Sequence, residues 1–138
     1  MLGSGFVAEF YMLGLANVNG QEVVACYSRG SERTKEFARR WSIADSTDDL
    51  DGLVARSDID LFVIALPNDA HLPVSLKLSK AGRNQVCTKP LARTGAEAKQ
   101  MWEAAKASGV CSGCVRGNPT AGRIVRISGT SRRRAAGR

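Results

Sequence analysis

The sequence predicts an α/β fold in which helices wind on both sides of a parallel sheet, a doubly wound architecture. Three observations lead there. Strand-like apolar runs alternate with helix-periodic segments in the order β-α-β-α-β-α-β-α; the run Ile59 to Leu66 (IDLFVIAL) is nearly all apolar, as a strand buried on both faces must be; and the helical segments carry capping residues at their ends. The 138 residues are 43% hydrophobic and 24% charged, which suits one globular domain and leaves no room for a large two-domain enzyme. No apolar run approaches the roughly 18 residues of a membrane-crossing helix.

Each element has its own reason. Gln21 to Tyr27 (QEVVACY) is short, apolar and β-branched and ends at Ser28-Arg29-Gly30, so it reads as a buried strand followed by a loop. Ser31 is placed to cap the next helix, whose Phe37, Ala38 and Trp41 form one apolar face while Arg33, Lys35, Glu36, Arg39 and Arg40 form a solvated one. Leu50, Leu53 and Val54 give Asp48 to Arg56 a helical spacing. The strand Ile59 to Leu66 stops at Pro67, a helix from about Ala70 to Lys80 ends at Gly82, and Asn84 to Thr88 supplies another short strand. Thr94-x-x-Glu97 is a capping box that opens the longest helix, with Ala98, Met101, Trp102 and Ala105 on its inner face and Gly109 at its end. Only Met1 and Leu2 precede the first glycine, whereas a strand needs about five residues. The expectation is therefore a truncated first strand, a sheet without its central member, and exposed apolar surface.

The formal charge of +7 is localised. Residues 1–110 hold 13 basic and 13 acidic side chains; residues 111–138 hold seven arginines, no lysine and no acid. The chain thus divides into a folded, near-neutral domain at 1–110 and an Arg/Gly-rich, irregular tail at 111–138, with Arg123 to Ser128 the tail's single strand-like run. Nucleic acid binding through Arg132, Arg133 and Arg134 has no support from interleaved aromatic residues. Cys26 and Cys87 sit in apolar runs and read as buried thiols, consistent with a reducing, cytoplasmic setting. Cys111 and Cys114 have C-x-x-C spacing but no second pair, so no metal site is expected.

The chemistry concentrates in the glycine motif. Gly3-Ser4-Gly5-Phe6-Val7-Ala8 fits G-x-G-x-x-G/A: the first glycine permits a tight turn, the second admits a pyrophosphate to the backbone, and the third small residue lets helix and strand pack closely. The N–H groups opening the following helix then point at the phosphates. The alternative is a flexible N-terminal glycine turn. About twenty residues on, a dinucleotide fold presents a side chain to the adenosine ribose, commonly an acid for NAD. Here the strand ends in Ser28-Arg29, a hydroxyl and a guanidinium suited to a 2′-phosphate, so NADP is expected over NAD; Arg29 read alone is a solvated loop arginine.

The series GSGFVAEF, a strand ending in YSRG, DIDLFVIALPNDAH, and CTKPLARTGAEAKQM resembles the nucleotide-binding Rossmann domain of the Gfo/Idh/MocA oxidoreductases over about residues 1–110. The resemblance implies that Gly3, Ser4, Gly5, Phe6, Val7 and Ala8 hold the pyrophosphate and that Ser28 and Arg29 meet the adenosine ribose or its phosphate. It also implies that Pro67, Asn68 and His71, the P-N-x-x-H turn, lie beside the nicotinamide ribose, and that Lys89 and Pro90 match the E-K-P motif on the cofactor side, with Lys89, the catalytic lysine, reaching the nicotinamide and substrate and Pro90 shaping the turn. Thr88 stands where the family usually has Glu. Read without the family, His71 is a helix-start or packed polar residue and Lys89 a surface lysine after a strand.

The implied reaction is reversible NAD(P)-dependent oxidation of a secondary alcohol on a sugar, inositol or related polyol by a homo-oligomer. In the family, a second α/β domain completes the substrate pocket and carries the oligomer interface. That domain is absent from these 138 residues, and the abrupt change of composition after Val110 reads as a truncated gene or a frame error. The alternative function is a stand-alone NADP(H)-binding or regulatory module, or an inactive fragment.

Overall fold

The computed structural model describes residues 1–114 and 125–127. Five helices and six strands follow one another as α1 (Phe6–Leu15), β1 (Ala25–Tyr27), α2 (Ser31–Arg40), β2 (Asp45–Thr47), α3 (Leu50–Ala55), β3 (Phe62–Ile64), α4 (Asn68–Lys80), β4 (Gln85–Cys87), α5 (Gly95–Ala107), β5 (Ser112–Cys114) and β6 (Val125–Ile127). The α/β class stands.

The first two residues correct one expectation. Leu2 bridges in parallel to Tyr27 of β1 and to Ile64 of β3, so Met1–Leu2 occupies the centre of a single sheet ordered β2-β1-(Met1–Leu2)-β3-β4-β5-β6. Its main chain is paired on both sides. Towards β1, Tyr27 N–H donates to Met1 O at 3.0 Å and Gly3 N–H to Tyr27 O at 2.7 Å; towards β3, Leu2 N–H donates to Val63 O at 2.8 Å and Ala65 N–H to Leu2 O at 2.7 Å. The Met1 amino group donates to Ala25 O at 2.8 Å. Two residues suffice to join the halves because Met1 turns its main-chain groups to β1 and Leu2 turns both of its own to β3. Below Met1 a cavity of about 340 Å³ lies between residues 21–25 and 58–63, at the N-terminal ends of the strands and away from the glycine turn.

Side chains alternate across the sheet with period two. Leu2, Ala25, Tyr27, Phe62, Ile64 and Cys87 pack with Leu53, Val54, Val74, Leu78 and Met101 of α3, α4 and α5. Met1, Cys26 and Ala65 pack with Ala8, Met12, Phe37, Ala38 and Ile43 on the side of α1 and α2. Helices therefore cover both faces. Large apolar side chains are exposed on α1, at Phe6, Val7, Phe10 and Leu13, and also at Val18, Leu61 and Trp102.

Other elements differ in detail from the sequence reading. β2 at Asp45–Thr47 pairs in parallel with β1 without an apolar pattern, since its residues are polar and largely exposed, as an edge strand allows. β5 continues the sheet beyond Val110, in parallel with β4, and β6 runs antiparallel to β5. Gly30, not Ser31, is the N-cap of α2, and the Thr34 hydroxyl donates to Gly30 O at 2.7 Å. Trp102 turns outward with the Lys106 ammonium 4.9 Å from its ring centre, while Met101 and Ala105 take the inner face. The capping box is half made: Thr94 Oγ1 accepts from Glu97 N–H at 3.2 Å, but the Glu97 carboxylate accepts from Arg93 N–H at 3.0 Å. The readings of Arg132, Arg133 and Arg134, and most of the tail assignment, lie outside the described residues.

Leu2 has no exposed surface, and truncating a fully buried leucine costs about 2–5 kcal/mol, so Leu2→Ala is expected to lower stability by that amount in urea unfolding. The buried Met1 amine carries a second expectation. Desolvation pushes it down from 8.0 to about 6. Between those values the unfolded chain binds a proton that the folded chain does not, so stability rises as pH goes from 6 to 8, by at most about 2–3 kcal/mol. Urea midpoints at the two pH values measure it; an N-acetylated chain should lose this slope, and equal stability of the parent chain at both would contradict the assignment.

Candidate functional site

All the parallel strands end at one edge, and the residues singled out by sequence follow those ends. Gly3 to Ala8 follow the central pair, Ser28 and Arg29 follow β1, Pro67 and Asn68 follow β3, and Lys89 and Pro90 follow β4. Open α/β sheets bind ligands in this place, beside the switch in strand order at the central strand.

The glycine turn is built for it. Gly3 has φ +120°, and a Cβ there would overlap the Ala65 carbonyl, so the turn and its packing on β3 both demand glycine. Gly5 is different: its φ is −93°, and a Cβ would meet nothing within 4 Å. The protein itself has no steric need for glycine at Gly5, whereas a pyrophosphate laid on the backbone does. Gly5 is the N-cap of α1 and no side chain caps that helix; α2 and α4, capped by Gly30 and Pro67, likewise lack a side-chain cap. By contrast Asp49 caps α3 and Thr94 caps α5. The helices nearest the centre thus present open N–H groups, the arrangement that accepts anions. Ala8 is fully buried against the sheet, so its side chain serves close packing and not ligand contact, while Phe6 and Val7 point outward and the Phe6 and Phe10 rings meet edge to face at 4.8 Å. Ser4 is buried within the turn.

Between α1 and α2 lies a cleft of about 290 Å³ reached by Ser4, Gly5, Phe6 and Arg33. Its two carboxylates are taken by Arg40, at 2.7 Å from Glu9 and 3.0 Å from Glu36, and the Trp41 indole donates to Glu9 at 2.6 Å. Arg33 and Arg29 form no ion pair among the described residues, which leaves two guanidiniums at this side of the edge. Arg33 escaped the sequence reading because its helical spacing fits a solvated face; its place one turn into a helix after the second strand was the available signal. Ser28 Oγ bonds the Thr34 hydroxyl, which fixes the start of the loop.

On the other side of the centre, Lys89 and Pro90 are exposed and joined by a cis peptide bond. Thr88 is buried and its N–H donates to Ile64 O at 3.0 Å, holding this turn against β3. Pro67 and Asn68 are exposed at the start of α4. His71 is not at the surface with them: it is 0% exposed beneath the turn, with Nε2 2.9 Å from Leu66 O and Nδ1 3.0 Å from Pro90 O. The reason is helical spacing, since the first turn of α4 directs residue 71 toward the sheet while Pro67 and Asn68 face out. The imidazole therefore does not reach a ligand on the edge directly. Burial pushes the neighbouring Cys87 thiol up to about 12, so it stays protonated and inert. Cys26, Cys87 and Cys111 are free thiols, and no cluster of metal-ligating side chains exists among the described residues.

A parallel, doubly wound sheet with a glycine turn entering an uncapped central helix defines a dinucleotide-binding domain. Comparison with known proteins gives the family: a family model described as "Oxidoreductase family, NAD-binding Rossmann fold" matches residues 1–114, and the chain belongs to this Gfo/Idh/MocA family. It is 31% identical over 110 residues to a scyllo-inositol 2-dehydrogenase (NADP(+)) of Bacillus subtilis, covering 80% of this chain and 34% of that protein. Levoglucosan dehydrogenase of Pseudarthrobacter phenanthrenivorans is 32% identical over 116 residues, covering 77% of this chain and 29% of the relative. A solved structure of levoglucosan dehydrogenase with NADH and levoglucosan superposes with a TM-score of 0.73 at 30% identity, over 79% of this chain and 32% of that one. The chain spans about a third of the length of the relatives it matches. Among the described residues no helix is long and apolar enough to cross a membrane.

The two glycines should separate on substitution. Gly3→Ala is expected to destabilise the fold by more than about 1 kcal/mol through its positive φ and the Ala65 overlap. Gly5→Val should leave thermal unfolding within a few degrees of the parent while weakening nicotinamide dinucleotide binding at least tenfold; equal binding by parent and Gly5→Val would refute the assignment of this turn.

Proposed function

We propose that this chain is the cofactor-binding unit of a cytoplasmic oxidoreductase that takes NADP in preference to NAD and acts on a sugar, inositol or related polyol. The observation that carries the reading is the Gly3-Ser4-Gly5 turn, with its open space above Gly5, at the same edge as Arg29 and Lys89. Gly5 and the first N–H groups of α1 would hold the pyrophosphate. Ser28, Arg29 and Arg33 would receive the adenosine ribose and its 2′-phosphate, because guanidiniums without carboxylate partners pair with a phosphate that an acid would repel. Pro67, Asn68, Lys89 and Pro90 would flank the nicotinamide.

The nicotinamide, when bound, supplies or accepts a hydride. The chain's own part is to orient it and to place the Lys89 ammonium beside the reacting hydroxyl, where a cation stabilises developing negative charge on oxygen. The proposal extends to a substrate pocket completed by a further domain and to assembly as a homo-oligomer, as the family resemblance implies. Support for the substrate class comes from the inositol and levoglucosan dehydrogenases among the relatives, and for the cofactor from their names, of which one carries NADP(+) and another a complex with NADH.

Titration with NADPH and NADH, followed by energy transfer from Trp41 and Trp102 to the reduced nicotinamide, tests the reading. NADPH is expected to bind more tightly. Arg29→Ala should weaken NADPH by roughly tenfold, as loss of a charge-assisted phosphate contact does, and leave NADH nearly unchanged. Equal weakening of both would remove Arg29 from the 2′-phosphate site, and no binding of either would remove the cofactor reading.

A further inference from the structure

We propose that His71 is a positioning residue that latches the two nicotinamide-side turns to each other; this rests on the cofactor reading above. β3 and β4 pair from Phe62–Gln85 to Ile64–Cys87, and the last ladder bond runs from Thr88 N–H to Ile64 O. Past that bond the two chains part, one into Pro67–Asn68 and α4, the other into the Lys89–Pro90 turn. His71 spans the gap. One ring nitrogen, Nε2, meets Leu66 O at 2.9 Å, in the residue before Pro67. The other, Nδ1, meets Pro90 O at 3.0 Å and Leu91 O at 3.2 Å.

The chemistry of the ring suits this task. A flat imidazole carries a nitrogen on either side of a rigid body, so with one N–H it donates to the carbonyl of one turn while its other edge packs against the second; an amide has its polar atoms at one end. The ring is wholly buried, and its remaining polar neighbour is the Cys87 thiol, with Sγ 3.3 Å from Nδ1. No carboxylate, ammonium or guanidinium contacts it among the described residues. Since the ring cannot touch a bound dinucleotide, its influence passes through the backbone of Leu66, Pro90 and Leu91, fixing how far Asn68 stands from Lys89. The spacing of these two side chains is what a nicotinamide lodged between them would feel.

His71 is the chain's one histidine, so its ring resonances stand alone in a spectrum of the ¹⁵N-histidine-labelled protein. On titration with NADPH, the ring ¹⁵N signals are expected to move saturably, with the same midpoint as the tryptophan energy transfer. His71→Leu, close in volume, should retain the helical circular dichroism yet bind NADPH at least tenfold more weakly, and His71→Gln, which restores one polar link, should recover part of that loss. Ring signals that stay fixed while the parent chain saturates, or His71→Leu binding as tightly as the parent, would overturn the latch. If His71→Leu fails to fold, the ring spectrum of the parent chain decides. A parent chain that binds neither NADPH nor NADH fails at the cofactor reading itself, which separates the two failures.

Discussion

The structure depends on the two-sided pairing of Met1 and Leu2. Four main-chain hydrogen bonds, two to β1 and two to β3, join the halves of the sheet across a strand only two residues long. The same bonds fix Gly3, whose positive φ and contact with Ala65 turn the chain sharply into α1. A segment so short can serve because a central strand in a parallel sheet uses both edges, and because Leu2 brings a completely buried side chain to the core that α3, α4 and α5 cover. The position of the glycine turn is thus a consequence of sheet pairing and not of the loop's own rigidity.

From that centre the site spreads along the edge in strand order. The side of β1 carries positive charge from Arg29 and Arg33, since Arg40 has already taken the carboxylates of Glu9 and Glu36. The side of β3 and β4 carries Asn68 and Lys89 at the surface, held from beneath by Thr88 and His71. Uncapped helices occupy the middle, where open N–H groups favour an anion.

Much of this was legible in the sequence, and the reasons differ by element. The capping residues at Gly82 and Gly109 gave true helix ends, because a positive φ is a local demand that glycine meets: both adopt it, at +68° and +65°. The buried strand within Ile59 to Leu66 was legible from its apolar run, though only Phe62–Ile64 pairs as a strand. β2 escaped because an edge strand of Asp, Ser and Thr has no hydrophobic pattern, and β5 because Ser112-Gly113-Cys114 is paired by its neighbours and not by propensity. The role of Met1–Leu2 escaped for a related reason: hydrogen bonds to residues about 25 and 60 positions away leave no mark in a two-residue window. In the site, the glycine motif and the Pro67 and Lys89 turns were visible as motifs. The burial of His71 and the availability of Arg33 were not, since both follow from tertiary placement.

Native-state amide hydrogen exchange tests most directly whether the cofactor edge hangs on the two-sided pairing of Met1–Leu2. The amides of Leu2, Gly3, Tyr27 and Ala65 are predicted to exchange only through global unfolding, and to slow further when NADPH is present. Rapid exchange of these four, while Val86 and Cys87 in β4 stay protected, would show a sheet divided at its centre and would contradict the account.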